Sequence, residues 1–143
     1  MQIRTMQIED YDAVFALWKS CSGMGLNDVD DSRSGIERFL QRNPETCLVA
    51  VEETAIIGAI LVGSDGRRAY IYHTAVAPER QKQGIGSQLV QAAKKAVQKI
   101  GIAKMALVVF SRNQSGNAFW KDGRDYLTSN RSDYTKKSPY EAF

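Results

Sequence analysis

The sequence is poor in the residues that build metal centres and crosslinks. It contains a single histidine, His73, and two cysteines, Cys21 and Cys47. The cysteines form no CxxC pair and no cysteine–histidine spacing of the kind that binds zinc, which takes about four nitrogen, sulfur or oxygen ligands. We therefore expect no metal site, and we expect both cysteines to be free thiols.

Long apolar runs are also missing. No stretch approaches the roughly 18 uninterrupted apolar residues that would let a helix cross a bilayer. The first residues, MQIRTMQIEDYD, contain neither an apolar signal core nor a small-residue cleavage site. The sequence therefore predicts a protein of the cytoplasm with no membrane partner.

Charge is nearly balanced, since 19 basic and 16 acidic residues give a net charge of +3. The two signs are interspersed, so a broad positive field for nucleic acid is not expected, while a local basic site for an anionic ligand is compatible with the sequence. A length of 143 residues and a hydrophobic content of 43% fit one globular domain, residues 1–143. No internal repeat or low-complexity linker divides it.

The hydrophobic pattern predicts a strand and a helix, a second helix, three strands, a third helix, a fifth strand and a fourth helix. A weak β region follows at the end of the chain. A first strand covers MQIRT, and the helix after it covers residues 8–20, with Thr5 as a candidate cap. Residues 21–32 carry glycines and acidic side chains and are predicted to form a loop that lines the substrate site. This order is typical of an α+β fold with helices on both faces of a mixed sheet.

The central part of the chain predicts a hairpin, a third strand and a long helix. Two β-rich runs, CLVAVEE and AIIGAILVGSD, are followed by the extended run RRAYIYHTAVAP. Strict alternation in that run places one set of side chains, Tyr70, Tyr72, Thr74 and Val76, on one face, and the other set, Ile71, His73 and Ala75, on the opposite face. A helix of about four turns follows from Gly84, and then the apolar strand KMALVVF.

Residues 81–87 carry the strongest chemical signal. Gly84 and Gly86 lie where a strand passes into a helix, so several backbone N–H groups at the helix start lack partners and favour an anion. Arg80 and Lys82 add positive charge beside them, and Ser87 adds a hydroxyl. The pair of glycines alone is equally compatible with simple flexibility before a helix. A P-loop is excluded because GxxxxGK[ST] is absent, and the acidic residue that a dinucleotide site needs is missing.

This stretch resembles the GNAT superfamily of acyl-CoA-dependent N-acyltransferases, small bacterial single-domain members in particular. The superfamily's signature, Gln/Arg-x-x-Gly-x-Gly/Ala, is present as QKQGIG after YHTAVAPE. A second family motif, an asparagine followed by an aromatic and a glycine, is matched by Asn113, Trp120 and Gly123. The resemblance covers residues 1 to about 123 and implies a three-layer α/β/α sandwich, whose mostly antiparallel sheet splays between its fourth and fifth strands.

The resemblance also implies an acetyl-CoA site and no metal. The coenzyme's pyrophosphate would lie on the amides of residues 81–87, and its pantetheine arm would pair with the strand ending at Val76, whose N–H would polarise the thioester carbonyl. The positions that the resemblance assigns to the coenzyme are Thr74, Ala75, Val76, Gln81, Lys82, Gln83, Gly84, Ile85, Gly86, Ser87, Asn113 and Trp120. The implied partners are therefore acetyl-CoA and an amine acceptor.

Two features depart from the family pattern. Trp120 stands where many members have a tyrosine that protonates the leaving thiolate, and an indole N–H cannot act as that acid. Tyr126 and Tyr72 are the remaining catalytic candidates, Tyr126 for this proton and Tyr72 in the acceptor cleft, while His73 is expected on the far face of its strand. The second departure is the tail, residues 124–143, whose pattern is atypical.

The acceptor side gives weaker signals. The acidic residues Asp28, Asp30 and Asp31 either attract a cationic amine or form solvated surface. The leading hypothesis is an N-acetyltransferase that acts on a primary amine of a small molecule or protein by direct transfer in a ternary complex. The alternative is an acyl-CoA-binding module whose catalytic machinery has decayed. Specific nucleic-acid binding is not expected, and a homodimer is compatible with the sequence.

Overall fold

A computed structural model describes residues 1–109, 116, 118–120 and 135–137 of the chain. Its strands are β1 (Gln2–Thr5), β2 (Leu48–Glu52), β3 (Ala55–Ser64), β4 (Ala69–Val76), β5 (Met105–Val109) and β6 (Thr135–Lys137). Its helices are α1 (Tyr11–Ser20), α2 (Arg33–Arg42) and α3 (Ile85–Lys99), with short 3-10 turns at Ile8–Asp10 and Pro78–Arg80. Residues 116 and 118–120 are also helical. Asn113 and Tyr126 lie outside the described residues.

The strands form one sheet in the order β1-β2-β3-β4-β5-β6. The strands β1 to β4 pair with one another in antiparallel fashion. In contrast, β5 is parallel to β4, and β6 is parallel to β5. β5 pairs with β4 only along Ala69, Tyr70 and Ile71, although β4 continues to Val76. The sheet therefore opens between its fourth and fifth strands, which confirms the predicted mixed, splayed sheet.

Helices cover both faces of the sheet. Apolar residues spaced three or four apart on α3 form a buried stripe against one face: Leu89, Val90, Ala93 and Val97. The helices α1 and α2 cover the other face with a second buried set: Val14, Leu17, Trp18, Ile36 and Leu40. The two clusters are separated by the sheet, so the predicted three-layer sandwich is confirmed.

Asp10 directly precedes α1, and its side chain connects the start of this helix to Gln7 and to Arg4 of β1. Its carboxylate accepts a 2.8 Å hydrogen bond from the N–H of Gln7, and both guanidinium nitrogens of Arg4 donate to it at 2.8 and 2.9 Å. The hydrogen bonds from Arg4 keep the pKa of Asp10 below its usual value. Thr5 is the last residue of β1, so the prediction that it caps this helix is wrong.

β4 contains a β-bulge. Its pairing with β3 shifts between Ile71 and Thr74, so that Tyr72 and His73 together lie opposite the single residue Leu61. A bulge of this kind interrupts the strict alternation of side chains along a strand. The face that each side chain of β4 occupies therefore changes at the bulge.

The contacts of the two bulge residues show the change directly. The ring of Tyr72 lies 5.3 Å from that of Phe39 on α2, and the ring of His73 lies 4.9 Å from that of Trp18 on α1. Both side chains therefore share the face that α1 and α2 cover. The prediction that His73 points away from Tyr72 is wrong, because strict alternation was assumed where the strand is bulged.

Candidate functional site

The first turn of α3 presents free backbone amides. Gly84 precedes the helix with a positive φ of 83°, and no side chain caps it. Lys82, two residues earlier, also has a positive φ of 63°. The N–H groups at the start of an α-helix have no carbonyl partner within the helix, and the helix dipole is positive there. Nothing lies within 4 Å of the position that a Cβ on Gly84 would take, so an anion can approach these amides closely.

Gly86 brings the start of α3 against β4. A Cβ on Gly86 would lie 3.1 Å from the ring of Phe119 and 3.7 Å from Cγ2 of Val76. The side chain of Ile85, between the two glycines, is buried in the core on the α3 face. Ile85 can therefore serve an anion only through its backbone amide, and Gly86 allows that amide to lie next to the end of β4.

The end of β4 turns backbone groups towards the gap in the sheet. The N–H of Ala77 bonds to Ile57 on β3 at 2.9 Å, and in an extended strand neighbouring residues point their backbone groups to opposite sides. The N–H and C=O of Val76 therefore face the gap, as do those of Thr74. Ala75, by contrast, lies opposite Ala59 of β3 and turns its backbone away from the gap.

Two side chains bind the carbonyl of Val76 from outside the strand. Nε2 of Gln81 donates to it at 3.1 Å, and the thiol of Cys21, just after α1, lies 3.3 Å away. Burial, the largest influence, raises the pKa of the Cys21 thiol. Gln81 therefore fixes the loop before α3 to β4, a role that its position in the motif did not reveal.

The hydroxyl of Thr74 is the clearest unused polar group near the gap. Its Oγ1 is buried and has no hydrogen-bond partner within the part of the chain that the structure describes. A buried hydroxyl without a partner costs about 1–3 kcal/mol, so it marks a place where a ligand group would be favourable. It lies two residues before Val76 on the same strand.

Arg80 forms an ion pair beside the start of α3. Its guanidinium donates to both carboxylate oxygens of Glu52, at 2.5 and 3.1 Å, and its Nε donates to Gln83 at 3.2 Å. This pairing lowers the pKa of Glu52. That Arg80 adds charge to the anion site remains a prediction, as does the same role for Lys82, which is exposed.

Asp31 and His73 form a contact that joins the α1–α2 loop (residues 21–32) to β4. Nε2 of His73 lies 2.7 Å from Oδ1 of Asp31, and Asp31 is only 5% exposed. Burial acts to raise the pKa of Asp31, but the hydrogen bonds from His73 and from the amide of Asn27 outweigh it, so this pKa is below the usual value. The reading of Asp31 as solvated surface is wrong.

Tyr72 lies at the mouth of the same face. It is 55% exposed and rests edge-on against Phe39. Partial burial, followed by the nearby Tyr70 and Asp30, raises the pKa of Tyr72. The phenol is therefore protonated at neutral pH, so it can donate a hydrogen bond but is a poor base.

Trp120 is a core residue on the α3 side of the sheet. It is 7% exposed and belongs to the cluster around α3, and its ring packs edge-on against Phe119 at 4.9 Å. Phe119 lies nearer Gly86, and its ring is 3.1 Å from the position that a Cβ on Gly86 would take. The assignment of Trp120 to the coenzyme remains a prediction. So do the assignment of Asn113 to the coenzyme and that of Tyr126 to catalysis, since the structure describes neither residue.

Sequence reasoning missed two site residues, Cys21 and Phe119, and it missed the burial of Asp31 against His73. No local pattern marks any of them, because each gains its place through a contact with a distant element. Among the described residues, no group of three side chains could hold a metal ion. Within the same residues, none of the helices has the length and apolar character that a membrane span requires.

Comparisons with known proteins cover most of the chain. Residues 11–124 match the acetyltransferase (GNAT) family. An acetyltransferase of Yersinia enterocolitica is 32% identical over 115 residues, which make up 80% of each chain. Ard1 from Thermoplasma volcanium superimposes with a TM-score of 0.75 at 20% identity, over 85% of this chain and 79% of its own. The PaiA N-acetyltransferase from Thermoplasma acidophilum, in complex with coenzyme A, superimposes with a TM-score of 0.73 at 22% identity, over 85% of this chain and 86% of its own.

Proposed function

The chain belongs to the acetyltransferase (GNAT) family, and from that premise we propose that it transfers an acetyl group from acetyl-CoA directly to a primary amine. We further propose that residues 1–143 act as a single domain. The observation that carries the proposal is the nearness of two sets of backbone groups, the amides at the start of α3 and the groups of Thr74 and Val76 on β4 that face the gap. One set suits a diphosphate and the other suits an extended amide chain, which are the two parts of coenzyme A.

The donor would lie along the gap between β4 and β5. The amides of residues 84–87 would hold the pyrophosphate, with Lys82 beside it. The pantetheine amides would pair with the backbone of Thr74 and Val76 as an added strand does, and the orphan hydroxyl of Thr74 would gain a partner. Ala75 would contribute only indirectly, because its backbone faces β3.

The chemistry would depend on orientation and on one backbone donor. The N–H of Val76 points into the gap and would bond to the thioester oxygen as negative charge develops on it. Holding the thioester and the amine together removes much of the entropic cost of a bimolecular step. The thiolate of coenzyme A is a fair leaving group, with a pKa of about 8.5 by analogy with cysteine, so Trp120 does not prevent the reaction.

The acceptor would approach from the face that α1, α2 and their loop cover. Tyr72 is exposed there beside Phe39, and the carboxylate of Asp30 is close enough to raise the pKa of Tyr72. An exposed phenol next to a carboxylate suits a cationic amine. We therefore propose Tyr72 as an acceptor-facing residue rather than a base.

A thiol-labelling experiment tests the donor strand. Cys47 is fully buried and its pKa is raised to about 12, so N-ethylmaleimide at pH 8 should modify Cys21 first and Cys47 only after denaturation. Because Cys21 contacts the carbonyl of Val76, saturating acetyl-CoA should slow its modification at least tenfold. Peptide mass spectrometry gives both rates. Equal rates with and without acetyl-CoA would place the coenzyme elsewhere.

A binding measurement coupled to an assay tests the function itself. We expect acetyl-CoA to bind by calorimetry, and we expect free thiol to be released with at least one member of an amine panel: spermidine, tobramycin, and peptides that carry a free α-amine or one lysine. The acetylated product is identified by mass spectrometry. Binding without thiol release above the amine-free background, for every panel member, would favour the decayed acyl-CoA-binding module.

A further inference from the structure

The pair of Asp31 and His73 lies outside the donor site and has no role in it. A carboxylate that is 5% exposed is unusual, since burial of a charge is costly unless the charge is paired. The pairing here is short, 2.7 Å from Nε2 to Oδ1. It joins a loop residue to a strand residue 42 positions away, so it is built by the fold rather than by local sequence.

Asp31 is itself firmly held. Its second carboxylate oxygen accepts a 2.8 Å hydrogen bond from the N–H of Asn27, and its carbonyl accepts one of 2.6 Å from the hydroxyl of Tyr11. The ring of His73 packs edge-on against Trp18, 4.9 Å between centroids. Both partners are therefore oriented from several sides, which is what a carboxylate that orients a functional histidine requires.

The contact determines which ring nitrogen of His73 is available. A carboxylate accepts hydrogen bonds, so Nε2 carries the proton that it donates to Asp31, and Nδ1 of the neutral ring keeps its lone pair. Within the described residues, Nδ1 makes no hydrogen bond. This nitrogen is therefore ready to accept a proton from another molecule.

The pair also lies near the reactive end of β4. His73 precedes Val76 by three residues, about 10 Å along an extended strand. The end of α1 touches both positions, through Trp18 at His73 and through Cys21 at Val76. A histidine side chain and one bridging water together span such a separation, within the reach of a general base.

We propose that His73 removes a proton from the acceptor amine, and that Asp31 is the positioning residue that holds its ring in the required tautomer. The inference rests on the proposed function. The ammonium group of the acceptor gives one proton to Nδ1, and the free amine attacks the thioester carbonyl. The C–N bond forms, the C–S bond breaks, the second proton passes to the thiolate, and the imidazolium returns its proton to solvent.

Few other ionisable groups in the described part of the chain face the pair. From β4 itself the neighbour is the phenol of Tyr72, from α1 it is the hydroxyl of Tyr11, and from the loop it is Asp30, which influences Tyr72. Cys21 is also near the end of the strand. Both tyrosines have a raised pKa, in each case mainly through burial, so neither competes as a base at neutral pH.

The first experiment uses the panel amine with the highest wild-type rate. His73→Gln keeps a donor for Asp31 but cannot take a proton, and we expect it to lower kcat at pH 7 by about 100-fold or more, the range of general base catalysis. The defect should shrink as the pH rises towards 9, because more of the amine then arrives unprotonated. The KM for acetyl-CoA should stay within twofold. Glu37→Gln, which removes an exposed carboxylate from α2, is the control and should match the wild type.

The second experiment observes His73 without any acceptor. As it is the only histidine in the chain, its ring nitrogens are assigned in ¹⁵N NMR spectra without ambiguity. We expect the Nε2–H tautomer in the wild type, and a mixture of tautomers in Asp31→Asn together with at least a tenfold loss of kcat. A dominant Nδ1–H tautomer in the wild type would overturn the inference.

The two proposals fail in different ways. If the wild type releases no thiol with any amine, the proposed function fails and His73 loses its role with it. If the wild type is active and His73→Gln keeps its rate, or loses rate equally at pH 7 and pH 9, the function stands and the inference about His73 is overturned.

Discussion

Replacing Gly84 with glutamate should weaken coenzyme A binding at least about 100-fold while the protein still folds. The new carboxylate would project into the open space before α3, where nothing lies within 4 Å of the Cβ position. It would meet the pyrophosphate there with like charge and would block its approach to the amides. The positive φ of 83° adds a backbone cost of about 1–2 kcal/mol in stability.

The other end of the same helix supplies a matched control. Gly101 has a φ of 88°, and nothing lies within 4 Å of its Cβ position either. Gly101→Glu therefore carries the same strain and the same charge change without touching the loop. We expect both variants to lose similar stability in urea denaturation, but only Gly84→Glu to lose binding in calorimetry. Equal affinities for coenzyme A in the two variants would show that residues 84–87 do not bind the pyrophosphate.

Replacing Gly35 with alanine should disable acetyl transfer and leave coenzyme A binding intact. Gly35 lies in the first turn of α2, and a Cβ there would come within 2.5 Å of the carbonyl oxygens of Val29 and Asp30. Both contacts are with backbone, so the α1–α2 loop must move. The side-chain oxygen of Asn27 holds that loop through the N–H groups of Val29 and Asp30 at 3.0 and 2.7 Å, which makes the movement costly.

The expected loss of stability is about 1–3 kcal/mol, as for other overpacked positions. A shift of the loop also moves Asp31 away from His73, so we expect kcat for the best panel amine to fall at least tenfold, with the dissociation constant of coenzyme A within twofold of the wild type. Arg38→Ala, an exposed change on the same helix, should be unaffected. Wild-type turnover and stability in Gly35→Ala would show that the loop is free to adapt and does not set the acceptor site.

The fold could be predicted because local and global signals agree. The stripe Leu89, Ala93 and Val97 has the spacing of a helix that covers a sheet, and the short connections from β2 to β3 and from β3 to β4 favour antiparallel neighbours. Gly84 and Gly86 could be singled out for a related reason. The positive φ of Gly84 and the close approach of Gly86 to Phe119 both favour glycine.

The acceptor side could not be predicted in the same way. The bulge at Tyr72 and His73 has no residue signature, because it arises from how β3 and β4 pair, and one misplaced residue reverses the face of every later side chain. The burial of Asp31 depends on a loop folding back onto β4, and the capture of Arg80 by Glu52 depends on β2. Such contacts between distant segments are invisible to periodicity.

The opening between β4 and β5 gives the sheet an internal edge. Unpaired strand edges usually lie at the periphery, where they invite strands of other molecules and so promote aggregation. Here the edge beyond Ile71 lies inside the sheet, between two helical layers. Under the proposed function, the pantetheine arm would cover this internal edge in the way that a neighbouring strand covers an outer one.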